Sequence, residues 1–455
     1  MSKMQKVKLA PGVEENMLKA EFWIGNSKKN VVMTEKEINK FNQLVFKKAK
    51  EKGKEEEFCD LSNYPEMITK KRLYDLMEDY SLPEKIKEKD FYNKNSKKIT
   101  KKEKKELIKK ADLENVKKKI EVKFGILVKR ANVRAFPGRK IYATSPETID
   151  QDILQLTALS VGTPCAILHS SSDKKWYFIQ AKRYRGWIKR DKIAIAENKK
   201  EALSYFDNEN FLVVTESRVE TEPNPFDDKI SNVLFQMGDK IPLVKNEDIP
   251  QSIPEDNGQA QSPEGAYVIW LPVKGENEKL KFKKALIARS NDLHEGYLSY
   301  TRENLLKRAY KLLGERYGWG GLYKRRDCSR FIMDIYRTVG IQIPRDAGFP
   351  QEEISAGKSY EFSGDLKERR KVLDKLEAGD PIYMKGHVMM YLGKEKGEHY
   401  LIHSGSGYGK YDNNGNHKGI TVHGVFVMRA EQLMKSTEKT YLEAFRLAKK
   451  FLEDN

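Results

Sequence analysis

At 455 residues, 39% of them hydrophobic and 33% charged, the chain is too long for one ordinary core, and its soluble balance predicts roughly three or four domains. A formal net charge of +18 would suit nucleic acid, an anionic membrane surface or an anionic wall polymer, because charge acts at long range without specifying a fold. The three cysteines, Cys59, Cys165 and Cys328, are too few and scattered for a disulfide framework or a Cys-rich zinc site, no run reaches the roughly 18 apolar residues of a membrane helix, and MSKMQKVKLAPG has no apolar signal core.

The first segment reads as helical after a short extended start. Thr34, with Glu37 three residues on, predicts the cap of a helix whose inner face is Ile38, Phe41, Leu44 and Val45. Trp23 and Phe58 read as packing. Between Asn95 and Lys123 stand twelve lysines against five acids, yet Leu107, Ala111, Val116 and Ile120 keep a helical stripe, which predicts a solvated helix face.

From Lys123 short β-branched and aromatic runs alternate with turns. Candidate strands are Gly125 to Val133, Pro164 to His169, Trp176 to Gln180, Gly186 to Lys189 and Lys192 to Ala196, a small β-barrel. Cys165 reads as a buried strand thiol and His169 as the residue closing that strand. A second β module runs from about Phe211 to Tyr297 through FLVVT, KIPLV, AYVIWLPV and KALIARS. Between two of these, QSIPEDNGQAQSPEG predicts an exposed loop.

The last domain opens at Thr301, cap of an amphipathic helix with Leu305, Leu306, Ala309, Leu312 and Leu313, ended by Gly314. After a Gly-Trp-Gly-Gly turn, Phe331, Ile332, Ile335, Tyr336 and Val339 recur at helical spacing from Cys328, and Gly340 supplies the stop. Cys328 therefore opens a helix, with Asp327 as N-cap, where unpaired N–H groups and the helix dipole favour a thiolate. Helical phase alone is equally compatible with a small core cysteine. LEAGDPIYM, HVMMYLG and HYLIHSG then predict neighbouring strands of an antiparallel sheet and an α+β domain.

Five of the seven histidines follow Asp380. His387 starts one alternating strand and His403 ends another, so both can line one sheet edge. If that sheet packs on the Cys328 helix, His387 can take the thiol proton and His403 can hold its imidazole, the nucleophile, base and orienter arrangement of cysteine hydrolases. His399, His417 and His423 sit in turn or edge contexts and carry no assigned role. No CxxC or HExxH spacing points to a metal.

These residues stand in a series, Tyr317-Gly-Trp-Gly-Gly321, Arg326-Asp-Cys-Ser329, Ile343-Pro-Arg-Asp-Ala347 with Gln351, Ala378-Gly-Asp-Pro381, Gly386-His-Val388 and Tyr391-Leu-Gly393. The series resembles the NlpC/P60 cysteine peptidases, in the branch of γ-D-glutamyl-diaminoacyl endopeptidases that carries SH3b domains. Asn132-Val-Arg-Ala-Phe-Pro137, Leu168-His-Ser170 and Tyr184-Arg-Gly-Trp187 are similar to a first SH3b module, His294-Glu-Gly-Tyr297 fits the end of a second, and Phe22 to Asn42 resemble the family's N-terminal stabilising domain.

The resemblance implies a multidomain α+β chain: a helical N-terminal domain over 1–122, SH3b-like β-barrels over 123–200 and 201–300, and a papain-like NlpC/P60 catalytic domain over 301–455. It implies Cys328 as nucleophile, His387 as base, His403 as the third polar residue, and Tyr317 with the Cys328 backbone N–H at the oxyanion. Ser329, Arg345 and Asp346 would form the substrate pocket, the guanidinium suiting the free α-carboxylate of a γ-linked D-glutamate and Asp346 with Asp327 a free amine. Tyr184 would close the amine pocket. Arg345 and Asp346 also read, by themselves, as a mutual surface pair. Arg330 departs from the glycine of the family's DCSG pattern.

The expected reaction is hydrolysis of the γ-D-glutamyl to diamino acid bond of peptidoglycan stem peptides through an acyl-enzyme. It needs no cofactor and no metal. Muropeptides are the expected partners, not nucleic acid, and the chain is expected to be a monomer, in the envelope if exported or in the cytoplasm if it recycles wall peptides. Rival readings are a wall-binding scaffold with a vestigial cysteine domain and an amidase of the same fold cutting muramoyl-L-alanine.

Overall fold

The computed structural model describes residues 8–25, 30–54, 58–78, 81, 84–254, 260–412 and 414–452. The chain divides into two compact units, one made of the described residues of 1–53, 298–318 and 325–455, the other of those of 54–297 and 319–324. The helical segment expected over 1–122 is therefore shared between them. Among the described residues no helix is long and apolar enough to cross a membrane.

In the first unit a six-stranded antiparallel sheet runs in the order Lys358–Glu361, Phe445–Lys450, Pro381–Met384, His387–Glu395, Glu398–Tyr411, His417–Arg429. Helices Arg302–Lys311 and Cys328–Arg337 pack together, and the second lies on the strands His387–Glu395 and Glu398–Tyr411. Thr301 caps the first helix by accepting from Asn304 N–H. The Ala378-Gly-Asp-Pro motif is a clasp between helix and sheet. Gly379 holds φ +100° with Leu305 so close that a Cβ would meet it at 2.8 Å. Asp380 takes the buried Arg302 guanidinium at 2.6 Å, and Tyr336 donates to the Gly379 carbonyl at 2.9 Å.

The N-terminal helix Glu35–Glu51 begins at Thr34 with the expected capping box and buries Ile38, Phe41 and Val45, with Leu44 half-buried. Asn42 pins it to the loop after the cysteine helix, donating to the Gly340 carbonyl at 3.0 Å and accepting from Gln342 N–H at 2.8 Å. Trp23 is buried, as expected of packing; its indole N–H donates to the Met17 carbonyl at 2.9 Å.

In the second unit a seven-stranded antiparallel sheet runs Ile193–Ile195, Lys123–Leu127, Pro164–Ser170, Trp176–Ala181, Arg185–Lys189, Ala131–Arg134, Gln155–Leu159. Both faces are covered, so successive residues feed different clusters. Ile126, Ala166, Phe178 and Trp187 join a core with Leu73, Leu76, Phe91 and Leu107 of the preceding helical segment. Leu127, Cys165, Ile179 and Ile188 line the other. Cys165 is fully buried, and burial pushes its thiol up to about 12. His169 lies near the end of its strand, with Nε2 3.0 Å from the Ala111 carbonyl.

The second β module pairs Phe211–Val214 with both Lys240–Pro242 and Leu293–Glu295. Two hairpins follow, Arg218–Glu220 with Leu234–Gln236 and Ala266–Lys274 with Leu280–Ala288. Part of the loop expected over 251–265, namely 255–259, lies outside the described residues.

Two expectations differ from the fold. The run Gly125 to Val133 is two strands, Lys123–Leu127 and Ala131–Arg134, because the chain bends at Val128 and Lys129. The lysine-rich helix covers only Lys101–Lys110. Asp112 takes a left-handed conformation at φ 55°, so Val116 leaves the helical register and Ile120 joins the strand Lys119–Glu121.

Candidate active site

The cysteine helix starts as its sequence predicts. Asp327 is extended and its carboxylate accepts from the Arg330 N–H at 2.9 Å, an N-cap that leaves Cys328 as the first helical residue. Every residue from Cys328 to Tyr336 is buried, so the polar ones must be paired. Asp334, fully buried, receives Arg330 Nε at 2.6 Å and Arg326 Nε at 2.9 Å. Arg326 also reaches Glu315 at 2.9 Å. Arg330, in place of the expected glycine, thus extends along its own helix to a carboxylate four residues on.

The expectation of a ready thiolate is corrected. Cys328 is 6% exposed, and burial, reinforced by the negative charge of Asp327, pushes its thiol up to about 12. Hydrogen bonds from the Val388 and Ser329 backbone and the charge of Arg345 oppose this without reversing it. Desolvation outweighs the helix terminus because the dipole effect is worth only about 0.3–1 kcal/mol in ordinary settings, whereas full burial moves a titration by several pH units. The resting site holds a thiol.

The Val388 bond places the sulfur beside the start of the His387–Glu395 strand. His387 Nε2 lies 2.7 Å from His403 Nδ1, with the rings edge to face at 5.0 Å. Burial and the Lys435 charge push His387 down to about 3, although Asp327 pulls the other way. Burial and the neighbouring His387 and Lys435 hold His403 well below the ordinary imidazole range. Both imidazoles rest neutral, which a proton acceptor requires. His387 and His403 are brought together, and the Cys328 sulfur lies against the backbone of the residue after His387.

The second group also converges. Arg345, buried, donates to Ser329 Oγ at 2.8 Å and Asp327 Oδ2 at 2.6 Å. Asp346 lies 3.6 Å from the same guanidinium with its side chain 37% exposed. The surface-pair alternative for Arg345 and Asp346 therefore fails for Arg345, whose principal partner is Asp327 inside the fold. Tyr317 is half-buried; its N–H donates to the His423 carbonyl at 2.8 Å, and it pairs with Arg326, two residues before the cysteine. Tyr184 belongs to the other unit, where it is buried with Leu127, Val133 and Ile188 and its carbonyl accepts from Ala181 N–H at 2.8 Å.

The glycine turn lets its backbone approach a strand of the second unit closely. Gly320 and Gly321 hold φ of 52° and 81° against the strand Gln155–Leu159, where Cβ atoms would meet the Gln155 carbonyl at 2.8 Å and Ala158 at 2.9 Å. Their residues, 319–324, fold with the second unit.

Reading the sequence missed the Arg326, Arg330 and Asp334 network and Met428, whose sulfur lies 3.2 Å from His403 Nε2. Asp334, four residues after Arg330 and on the same side of the helix, was the available signal for the first. For Met428 there was none, since the long strand His417–Arg429 carries no clean alternation at its start.

Residues 314–425 match the family model described as NlpC/P60 family, and residues 142–189 the model described as SH3 domain (SH3b1 type). A relative from Bacillus subtilis (strain 168), gamma-D-glutamyl-L-lysine dipeptidyl-peptidase, is 28% identical over 189 aligned residues covering 37% of this chain. Dipeptidyl-peptidase 6 of Lysinibacillus sphaericus is 31% identical over 117 residues covering 23% of this chain. The chain spans 57% and 37% of the length of these relatives. A solved structure described as a novel NlpC/P60 endopeptidase from Photobacterium damselae subsp. piscicida superposes with a TM-score of 0.75, covering 98% of each chain at 17% identity, and shares the fold. The segment that holds Cys328, His387 and His403 thus matches the NlpC/P60 family model, and a second segment of the same chain matches the SH3 domain model of the SH3b1 type.

Proposed function

We propose that this chain is a cysteine peptidase that hydrolyses the amide joining γ-D-glutamate to a diamino acid in peptidoglycan stem peptides. The observation that carries the reading is the 2.7 Å bond between His387 and His403 beside a cysteine at a helix start. The substrate class follows from the B. subtilis relative, whose name specifies a γ-D-glutamyl-L-lysine bond.

With thiol and imidazole both neutral at rest, attack and proton transfer go together. The Cys328 S–H bond breaks as its proton passes to His387, and sulfur bonds to the scissile carbonyl carbon. The imidazolium then donates to the departing amine of the diamino acid, and the acyl-enzyme is hydrolysed by water that His387 deprotonates. The Cys328 backbone N–H at the helix start and the Tyr317 hydroxyl are assigned the developing oxyanion. No cofactor enters this scheme.

Asp346, the more exposed carboxylate, is assigned the free N-terminal amine together with Asp327, and Arg345 with Ser329 the α-carboxylate of D-glutamate. A pocket for that amine makes the enzyme selective for peptides with free N-terminal L-alanine, already released from glycan. Mass spectrometry of products from free and N-acetylated L-Ala-γ-D-Glu-diamino acid tripeptides tests this. The expected outcome is release of the diamino acid from the free peptide only. Equal rates would remove the amine pocket, and an intact tripeptide with cleavage of muramoyl-L-alanine substrates would replace the reaction itself.

A further inference from the structure

The pair His387 and His403 has two possible protonation arrangements, and only one permits catalysis. If His403 Nδ1 carries the proton, it donates to His387 Nε2, and His387 must hold its own proton on Nδ1. That ring nitrogen then has no lone pair to accept the thiol proton. If His387 Nε2 carries the proton and donates to His403 Nδ1, His387 Nδ1 is a free base.

Geometry on the far side of His403 decides between them. Its Nε2 lies 3.2 Å from the Met428 sulfur, and both residues are buried. A thioether sulfur accepts hydrogen bonds and has no proton to give, so the contact is a hydrogen bond only when His403 carries its proton on Nε2. A neutral imidazole has one N–H, and His403 Nδ1 is then an acceptor. The sheet supplies the placement. His403 pairs with Phe426, and Leu401 pairs with Met428, so Met428 is the diagonal neighbour on the same face. The Phe426 ring, 4.4 Å from that of His403, and Tyr441 at 6.2 Å fill the remaining sides of the ring.

We propose that Met428 is a positioning residue that fixes the tautomer of His403, and through it leaves the Nδ1 lone pair of His387 available to the thiol. The chain of selection runs from sulfur to His403 Nε2–H, to His403 Nδ1, to His387 Nε2–H. Its kinetic consequence rests on the peptidase reading, but the tautomers themselves do not.

The test uses the full chain labelled with 15N-histidine, in which long-range proton–nitrogen correlation spectra distinguish the two nitrogens of each of the seven imidazoles, assigned by His387→Gln and His403→Gln. At pH 8 the wild type should show His403 and His387 both protonated on Nε2. Met428→Leu should give His403 a mixture of tautomers and lower kcat about threefold to tenfold with KM unchanged. Met428→Gln, whose side-chain carbonyl can accept from Nε2–H, should recover most of the loss. Should Met428→Leu not fold, the wild-type spectrum still decides: a proton on His403 Nδ1 overturns the proposal. So does a folded leucine variant with wild-type tautomers and kcat. A correct tautomer pattern in a protein that cleaves no muropeptide would leave this inference standing and remove the proposed activity instead.

Discussion

Replacing Asp327 by asparagine should make Cys328 more acidic. The carboxylate accepts the Arg330 N–H as N-cap at 2.9 Å, ion-pairs with Arg345 at 2.6 Å and raises the thiol by its charge. Asparagine caps about as well as aspartate, so the helix start survives. The charge does not, and Arg345, which lowers the thiol, loses its principal counter-ion. A charge within a few ångströms moves a titration by roughly 1–3 pH units. At the low end, the thiol falls from about 12 by about one pH unit, and the thiolate fraction at any lower pH rises about tenfold. Breaking a buried pair costs ~3–5 kcal/mol, with the lower end expected because Arg345 keeps Ser329 at 2.8 Å. The assay is the rate of iodoacetamide alkylation at Cys328 between pH 7 and 9, followed by peptide mass spectrometry to separate it from Cys59 and Cys165. A rate equal to or below that of the wild type, in a folded variant, would refute the contribution of the Asp327 charge to holding the thiol up.

Asp334→Asn removes the buried carboxylate shared by Arg326 and Arg330 and should cost about 3–5 kcal/mol, or about 6–20 °C in melting temperature, read by calorimetry. Burial raises the Asp334 carboxyl, but the Arg330, Arg326 and Arg337 charges together hold it below its ordinary value. Its stabilisation is therefore present above about pH 3.9 and lost as pH falls through the lower folded value, so wild type and variant should converge in acid. With His387 pushed down to about 3 and Cys328 up to about 12, kcat/KM should be flat between about pH 5 and 8; an acid limb near pH 6.5 belonging to His387 would contradict the half-buried, neutral base. Gly405→Ala puts a Cβ 2.7 Å from His403 Cε1, a ring held on both sides. Displacing it by several tenths of an ångström should lower kcat by up to about a hundredfold with little change in melting temperature.

The layout of the site was legible because its chemistry is carried by local pattern. An N-cap aspartate before a cysteine, then apolar residues at helical spacing, mark the proposed nucleophile, and two histidines on neighbouring strands mark its proposed partners, although His403 lies inside the strand Glu398–Tyr411 and not at its end. Protonation was not legible, because it depends on burial by residues far away in sequence. Lys435 and Asp327 both act on His387, and no spacing announces that. Nor was it legible that the Arg345 guanidinium rests on Asp327 and Ser329, partners that its sequence neighbour Asp346 does not announce. The outer strands were also hidden. His417–Arg429 and Phe445–Lys450 are lysine- and arginine-bearing strands whose polar faces break the alternation by which strands are recognised. Asp112, left-handed at φ 55°, ends a lysine-rich helix that composition alone would continue.

Cleavage of L-Ala-γ-D-Glu-diamino acid tripeptide by wild type and Cys328→Ala, each verified as folded, tests the central claim most directly. The account predicts release of the diamino acid by the wild type and a loss of at least about a thousandfold in the variant, which lacks the proposed nucleophile. Cleavage by Cys328→Ala at a rate near that of the wild type would contradict it.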